Sequence, residues 1–559
     1  MTAAPNSGWW RGGVIYQIYP RSYADSNGDG VGDLPGITRR LDHIAALGAD
    51  GIWLSPIFKS PMKDFGYDIS DYCDIDPLFG SLADFKALVE RAHALGLKVM
   101  VDQVYSHCSD QHPWFKESRS SRDNGPGNSK ADWFVWADAK HDGTPPNNWL
   151  SIFGGSAWQW DTRRKQYYLH NFLTSQPDLN FHNPEVQDAV LGCVKFWLDF
   201  GVDGYRLDVV NFYFHDRELR DNPARGAPDG SDPAVPATNP YGWQWHQFDK
   251  SRPENLAFLQ RLRALVDQYP DTTMVGEIGD DDGLARVAEY TGPGPDGLPM
   301  LHMAYCFDLL GEPHSAPYLH GVFTRFNQVV GQGWPCWAIT NHDIPRVATR
   351  WGGRYGAASR AGLLRLAAAL QLSLRGSACI YQGDELGLPE ADIAFEDLQD
   401  PYGIAMWPEF KGRDGCRTPM PWDSGAADLG FGAAGSSTKP WLPVAESHRA
   451  LAADRQALDA GSLFHHYQQL LRWRRGVPAL IHGDMQLLPA HPQVLAYVRE
   501  HAGERVLCAF NLSEQPAQLD LGAGQRVTTV LTDSGATGAS VQGDAAQFQP
   551  WGVLFARLA

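Results

Sequence analysis

Seven polar side chains stand at the C-terminal ends of runs that otherwise read as buried strands: Asp102, His107, Arg206, Asp208, Glu277, His342 and Asp343. Arg206 and Asp208 are two apart, so on a strand they point to the same side. A charge there costs several kcal/mol unless it is paired or put to chemical use. Three acids converge with no His/Cys cluster of metal type among them, which points to acid–base chemistry on a neutral substrate. Glycoside cleavage fits: it needs one carboxylate as nucleophile and one protonated carboxyl as acid, roughly 5–5.5 Å apart in a retaining enzyme. Beside Arg206, Asp208 is expected to keep a low pKa and stay ionised. Glu277, between Gly276 and Ile278, is expected to be raised by desolvation and to hold a proton.

These residues need a frame that brings eight strand ends to one mouth. Strand candidates are Val14–Ile18, Asp50–Leu54, Lys98–Val104, Gly201–Val210, Thr273–Glu277, Met303–Phe307, Cys336–Thr340 and Ala378–Gln382. Between them lie helical patterns, such as the apolar positions 37, 41, 44, 45 and 47 ended by Gly48, and a helix opened by Asn183-Pro184 and closed by Gly201. Eight strand–helix units predict an α/β fold, a (β/α)8 TIM barrel, whose C-terminal face carries the active site. The rhythm breaks over 107–177, rich in Asp, Asn, Gly, Ser and Trp, which predicts an inserted irregular subdomain after the third strand. The expected organisation is barrel over 1–106, insertion over 107–177, barrel over 178–480 with an irregular stretch at 390–445, and a C-terminal antiparallel β domain over 481–559.

The chain has 559 residues and a net charge of −18, which argues against nucleic acid and anionic membranes as partners. No run of 18 apolar residues predicts a membrane span, and no secretory signal is visible. Eight scattered cysteines without a CxxC pair read as reduced thiols, so a cytoplasmic location is expected. The 20 Trp residues suit flat apolar faces such as sugars as well as packing.

Asp102-Gln-Val-Tyr-Ser-His107, Gly204-Tyr-Arg-Leu-Asp208, Val275-Gly-Glu277 and Thr340-Asn-His-Asp343 resemble the four ordered signature segments of the α-amylase family of glycoside hydrolases. Gln176-Pro-Asp-Leu-Asn180, the opening Val14–Ser22 and the late Arg417-Thr-Pro-Met-Pro-Trp422 resemble its α-glucosidase and oligo-1,6-glucosidase branch. The resemblance implies Asp208 as nucleophile, Glu277 as acid/base and Asp343 as transition-state stabiliser. It further implies His107 and His342 as histidines around the bound glucose and Arg206 as the orienting arginine. Tyr67 and Asp68 resemble the stacking Tyr and the Asp that blocks the pocket beyond one glucose. In exo-acting relatives that Asp pairs with an Arg, here Arg413 or Arg417, with Arg413 preferred. The family commonly has Asn before the first histidine; here it is Ser106, a shorter donor.

The loop Asp25–Asp33 spaces oxygen donors at alternate positions: Asp25, Asn27, Asp29, the Val31 carbonyl and Asp33. That is calcium chemistry, although position twelve is Gly36 and not Glu. Relatives of the oligo-1,6-glucosidase type carry such a loop as a structural metal site, so a structural Ca2+ or Mg2+ is expected.

The implied activity is an exo-acting, retaining α-glucosidase that releases α-glucose from short α-glucosides such as maltose, with transglucosylation. Its partner is a small-molecule α-glucoside, and a monomer or homodimer is expected. Alternatives are isomaltose-type α-1,6 cleavage, which Val209 resembles, and a sucrose or maltose isomerase. A non-catalytic, transporter-associated member of the fold would lose carboxylates and gain a membrane span. This chain keeps all three acids.

Overall fold

The protein is described here by a computed structural model covering residues 8–125, 129–227, 234–433, 435–522 and 525–559. Its centre is a ring of parallel strands: β1 (Val14–Ile18), β2 (Gly51–Leu54), β3 (Lys98–Gln103), β4 (Gly204–Leu207), β5 (Thr273–Ile278), β6 (Met303–Cys306), β7 (Cys336–Ala338) and β8 (Ser377–Tyr381). They hydrogen-bond in the order β6-β5-β4-β3-β2-β1-β8-β7. A parallel bridge between Ala304 and Pro335 closes the ring. Strands covered on both faces must be apolar along their length, and β1, β2, β4, β5, β6, β7 and β8 are buried throughout.

Local sequence sets the helix ends that return the chain to this ring. Asp33 caps the helix Leu34–Leu47 by accepting from the Gly36 amide, and Gly48 ends it at φ 101°. Asn183 caps Pro184–Phe200, and Gly201 at φ 107° reverses the chain directly into β4. A side chain at either left-handed glycine would be strained, so both boundaries are legible as residue types.

Between β3 and Pro184 the chain leaves the barrel. The stretch expected to be irregular holds a helix, Pro113–Ser118, and a three-stranded antiparallel sheet of Trp136–Ala137, Gln166–Leu169 and Trp158–Asp161. Strands of two to four residues offer too few positions for a period of two to show in sequence. A small core of Trp149, Trp158 and Leu169 holds them.

The C-terminal part is an antiparallel sheet built on Val494–His501, Glu504–Asn511 and Val553–Leu558. It shares a core with the barrel helices: Trp473 and Phe555 lie 4.8 Å apart, and Ser373 and Tyr497 share a 2.8 Å hydrogen bond. Among the described residues no helix is long and apolar enough to cross a membrane, and none of the eight cysteines is in a disulfide.

Candidate active site

β4 delivers two charges to the barrel mouth. In register, Arg206 sits opposite Asp102 of β3 and Val275 of β5. Its guanidinium is fully buried and binds three acids at once: Asp208 at 2.5 Å, Glu277 at 2.6 Å and Asp102 at 2.9 Å. Asp208 and Glu277 therefore hang from neighbouring terminal nitrogens of one planar fork. Right after Asp208 the backbone of Val209 takes a left-handed conformation, φ 36° and ψ 52°, which is rare for a β-branched residue. That turn ends the strand, tips Asp208 into the cleft and lets the Val209 amide donate to Glu277 Oε2 at 3.2 Å. Tyr305 of β6 donates to Glu277 Oε1 at 3.1 Å and accepts from Arg206 Nη2 at 2.8 Å.

Asp102 lies beneath, taking bonds from Trp53 Nε1 at 3.0 Å and Tyr67 Oη at 3.1 Å besides Arg206. The Tyr67 hydroxyl also meets His342 Nε2, and the two rings stack at 5.3 Å. Gln17 bonds the other ring nitrogen of His342 at 2.8 Å. Asp343 closes this side, bound by Arg417 at 2.7 Å and Arg413 at 3.3 Å.

Asp208, Glu277, Asp343, Tyr67, His107 and Arg413 line one cleft of about 590 Å3. Arg206 and His342 support its floor. Arg413 seals the inner end: its guanidinium lies 2.8 Å from Asp64 and 2.8 Å from Asp400, and packs over Phe153 at 5.0 Å. Arg417 does not take that place. It runs underneath, binding the His342 carbonyl at 2.7 Å as well as Asp343.

Asp68 departs from expectation. Its carboxylate turns away from the cleft and accepts from Ser60 Oγ and from the Lys63 and Asp64 amides. It folds the loop, and the acid that meets Arg413 is Asp64, four residues earlier. Gln176 donates to the other Asp64 oxygen at 3.0 Å. A run with two acids so close shows that one is placed, and only the turn at Phe65-Gly66 decides which. Sequence reading also passed over Gln17, Trp53, Asp64, Tyr305 and Asp400. Each is a common core or loop residue type whose neighbours come from distant strands. Ser106, where the family commonly has Asn, is within hydrogen-bond distance of the histidine: its Oγ lies 2.8 Å from His107 Nδ1.

Electrostatics differ from the simple expectation in one respect. Burial pushes Glu277 up to about 7, partly offset by Arg206 and added to by Asp208. Asp208 does not stay low. Burial outweighs the Arg206 attraction, Asp102 adds repulsion, and it too is pushed up to about 7. Asp102 rises to about 6 for the same reason. Three buried acids around one cation cannot all stay ionised, so the cluster keeps a proton near neutral pH. Asp343 is the exception. Burial raises it, but the cations Arg417 and Arg413 bound to it more than offset that and hold it far below the usual carboxylate range. His342 and His107 are buried and pushed down, so both stay neutral.

The loop Asp25–Asp33 coils around its own acids. Asp25 accepts from the amides of Asn27, Gly28 and Gly30, Asp29 accepts from Val31, and Asp33 accepts from Ser26 and Gly36. Among the described residues no three His, Cys, Asp or Glu side chains stand close enough together to hold a metal ion. The donor set is all oxygen, which suits a hard divalent cation in type.

Comparison with known proteins agrees with this architecture. The family described as alpha amylase, catalytic domain, matches residues 17–483, and the maltogenic amylase C-terminal domain matches 485–553. A probable alpha-glucosidase of Rhizobium meliloti is 53% identical, covering 99% of this chain and 98% of the relative. An oligo-1,6-glucosidase of Heyndrickxia coagulans is 38% identical over 92% of this chain and 93% of its own. Among solved structures, the alpha-glucosyl transfer enzyme XgtA superposes with a TM-score of 0.93 at 56% identity, covering 99% of both chains. The trehalulose synthase MutB of Pseudomonas mesoacidophila superposes with a TM-score of 0.87 at 32% identity, covering 99% of this chain and 100% of its own. A closed parallel barrel, acids gathered at its C-terminal mouth and matches along nearly the whole length lead to one conclusion: the chain belongs to the α-amylase family of glycoside hydrolases.

Proposed function

We propose that the protein is an exo-acting, retaining α-glucosidase that removes single glucose units from the non-reducing end of short α-glucosides and also transfers them to acceptors. The observation that carries this reading is Arg206 clasping Asp208 and Glu277 together at the mouth of a cleft sealed by Asp64 and Arg413. A shared guanidinium favours the short carboxyl spacing of roughly 5–5.5 Å used for a covalent route over the wider gap that leaves room for water.

In the first step ionised Asp208 attacks the anomeric carbon, and the glycosidic C–O bond breaks. The proton kept by the cluster is delivered from Glu277 to the departing oxygen. Tyr305 and the Val209 amide fix the Glu277 carboxyl for that transfer. In the second step Glu277, now a carboxylate, takes a proton from water or from an acceptor hydroxyl. That oxygen displaces Asp208 and releases α-glucose or a new α-glucoside. Asp343, held anionic, grips the ring hydroxyls, and Tyr67 lies alongside as the flat face. The sealed end leaves no path for a chain extending past one glucose. The test is NMR of the first product from maltose: α-glucose supports retention, while β-glucose as initial product overturns it.

Transfer is favoured by the likeness to a protein named for α-glucosyl transfer, and rearrangement by the likeness to a trehalulose synthase. Product chromatography on sucrose and maltose separates these from hydrolysis. We further infer a structural Ca2+ or Mg2+ in the loop Asp25–Asp33, on its oxygen donors and its place at the cap of the helix Leu34–Leu47. Unpaired thiols at all eight cysteines support a reducing, cytoplasmic setting.

A further inference from the structure

The cleft holds one buried cation that the mechanism above does not use. Lys250 lines its outer half and is 7% exposed. Its Nζ donates to Tyr241 Oη at 3.0 Å and lies over the rings of Phe212 at 5.1 Å and Tyr241 at 5.4 Å. The nearby carboxylates Asp249 and Asp280 feel the Lys250 charge, but each has a closer partner, as does Asp281. Asp249 pairs with His246 at 2.6 Å, Asp281 with Arg225 at 2.7 Å, and Asp280 with Arg286 at 3.3 Å. Among the described residues Lys250 thus has one hydrogen bond and no ion pair, while an ammonium carries three donors. Burying such a group without using its donors is costly.

The backbone holds Lys250 close to the chemistry. The Ser251 amide donates to the Asn211 carbonyl at 2.6 Å. Asn211 Nδ2 returns bonds to Ser251 Oγ at 2.9 Å and to the Gly279 carbonyl at 3.0 Å. Lys250 is thereby stitched to the chain three residues past Asp208 and two past Glu277. Ser251 sits at φ 54°, a left-handed conformation these bonds must hold in place. Val209, Phe212, Glu277 and Lys250 all line the same cleft, and the Lys250 ammonium lies over the Phe212 ring, so a group leaving from Glu277 shares that space with it.

The walls of the cleft include Phe153, Phe172, Phe212 and Tyr402, and Arg225, Asp280 and Asp281 also line it. Arg225 balances Asp281 and Arg286 balances Asp280, so this part of the cleft has no strong excess of either charge and the partner that fits is a neutral polyol. We propose that Lys250 determines acceptor-side specificity: its ammonium donates to a hydroxyl of the sugar leaving or entering next to Glu277. A saccharide aglycone then gains a charge-assisted hydrogen bond, and an apolar aryl aglycone gains only the aromatic walls. The proposal rests on the α-glucosidase reading.

Lys250→Met tests it with two substrates, maltose and p-nitrophenyl α-glucoside. The expected result is a loss of about 10- to 30-fold in kcat/KM on maltose, the scale of one lost hydrogen bond from a charged donor, with the aryl glucoside rate held within about threefold by the same reasoning. Lys250→Arg keeps charge and donors and should restore the maltose-to-aryl ratio. Equal losses on both substrates, or none on either, overturn the proposal. If the Met variant does not fold, Lys250→Gln carries the same test, and an unchanged ratio there overturns it as well. Wild-type protein inactive on both substrates sinks the α-glucosidase reading instead, so the two failures are told apart.

Discussion

The two ends of the cleft are built on opposite principles. At the inner end nearly every polar atom is tied to several others: Arg206 to three acids, Arg413 to Asp64, Asp400 and Asp343, and Asp102 to Trp53, Tyr67 and Arg206. The outer half is walled mainly by aromatic rings from the inserted subdomain and the long loops, with Phe153 stacked on Tyr402 and meeting Phe172 edge-on. Crossed charge pairs hold a geometry rigidly and admit one shape. Apolar walls exclude water but tolerate many shapes. Choice of the glucosyl unit therefore belongs to the inner end, and choice of acceptor to the outer.

The largest way to break the inner end is Asp208→Asn. A lost nucleophile should lower kcat/KM by about four to six orders of magnitude. The same change should also stabilise the protein at neutral pH. Asp208 and Glu277 bind protons in the native state up to about 7, well above an ordinary carboxylate near about 4. Between those values the native state holds more protons than the unfolded one, so stability falls as pH rises through that window. Asparagine removes one such group. Its melting temperature relative to wild type should be higher at pH 7.5 than at pH 5, and an unchanged difference would contradict the burial argument.

Next in size is Glu277→Gln, expected to cost about 10²- to 10⁴-fold on maltose, the usual share of a general acid. α-Glucosyl fluoride needs no protonated leaving group, so glucosyl transfer from it should survive. For wild type, activity on maltose should fall as pH rises through the Glu277 value of about 7. Rates on the fluoride in the Gln variant should lack that alkaline limb. A variant fully active on maltose removes Glu277 from the acid role.

Arg413→Met should follow. It leaves Asp64 and Asp400 buried without their cation, at a cost of about 3–5 kcal/mol for a broken buried pair. We expect a clear drop in melting temperature and about 10²-fold in kcat/KM for misplacing the glucose. Arg417→Met should not open the inner end to longer chains, since it lies beneath. Malto-oligosaccharide product patterns compare the two. The smallest effect expected is from chelation: loss of a cation from the loop Asp25–Asp33 should lower the melting temperature by a few degrees and leave the rate almost unchanged. An unaltered melting curve with excess chelator removes the metal from that loop.

Much was readable in the chain itself because it depends on residues near one another. Gly48 and Gly201 mark helix ends, Asn183-Pro184 marks a helix start, and unbroken apolar runs mark strands covered on both faces. Their alternation implies the barrel, and the barrel implies that polar residues at strand ends meet. Folding alone decided the rest. Asp64, 349 residues from Arg413 in the chain, reached it and Asp68 did not, because the turn at Phe65-Gly66 chose which carboxylate faced the arginine. Asp208 lost its expected low pKa because burial outweighed the pull of Arg206 beside it, and because folding brought Asp102 and Asp343 close from other parts of the barrel. Spacing along a chain sets local conformation and periodicity, whereas pairing and desolvation depend on distances between atoms far apart in sequence.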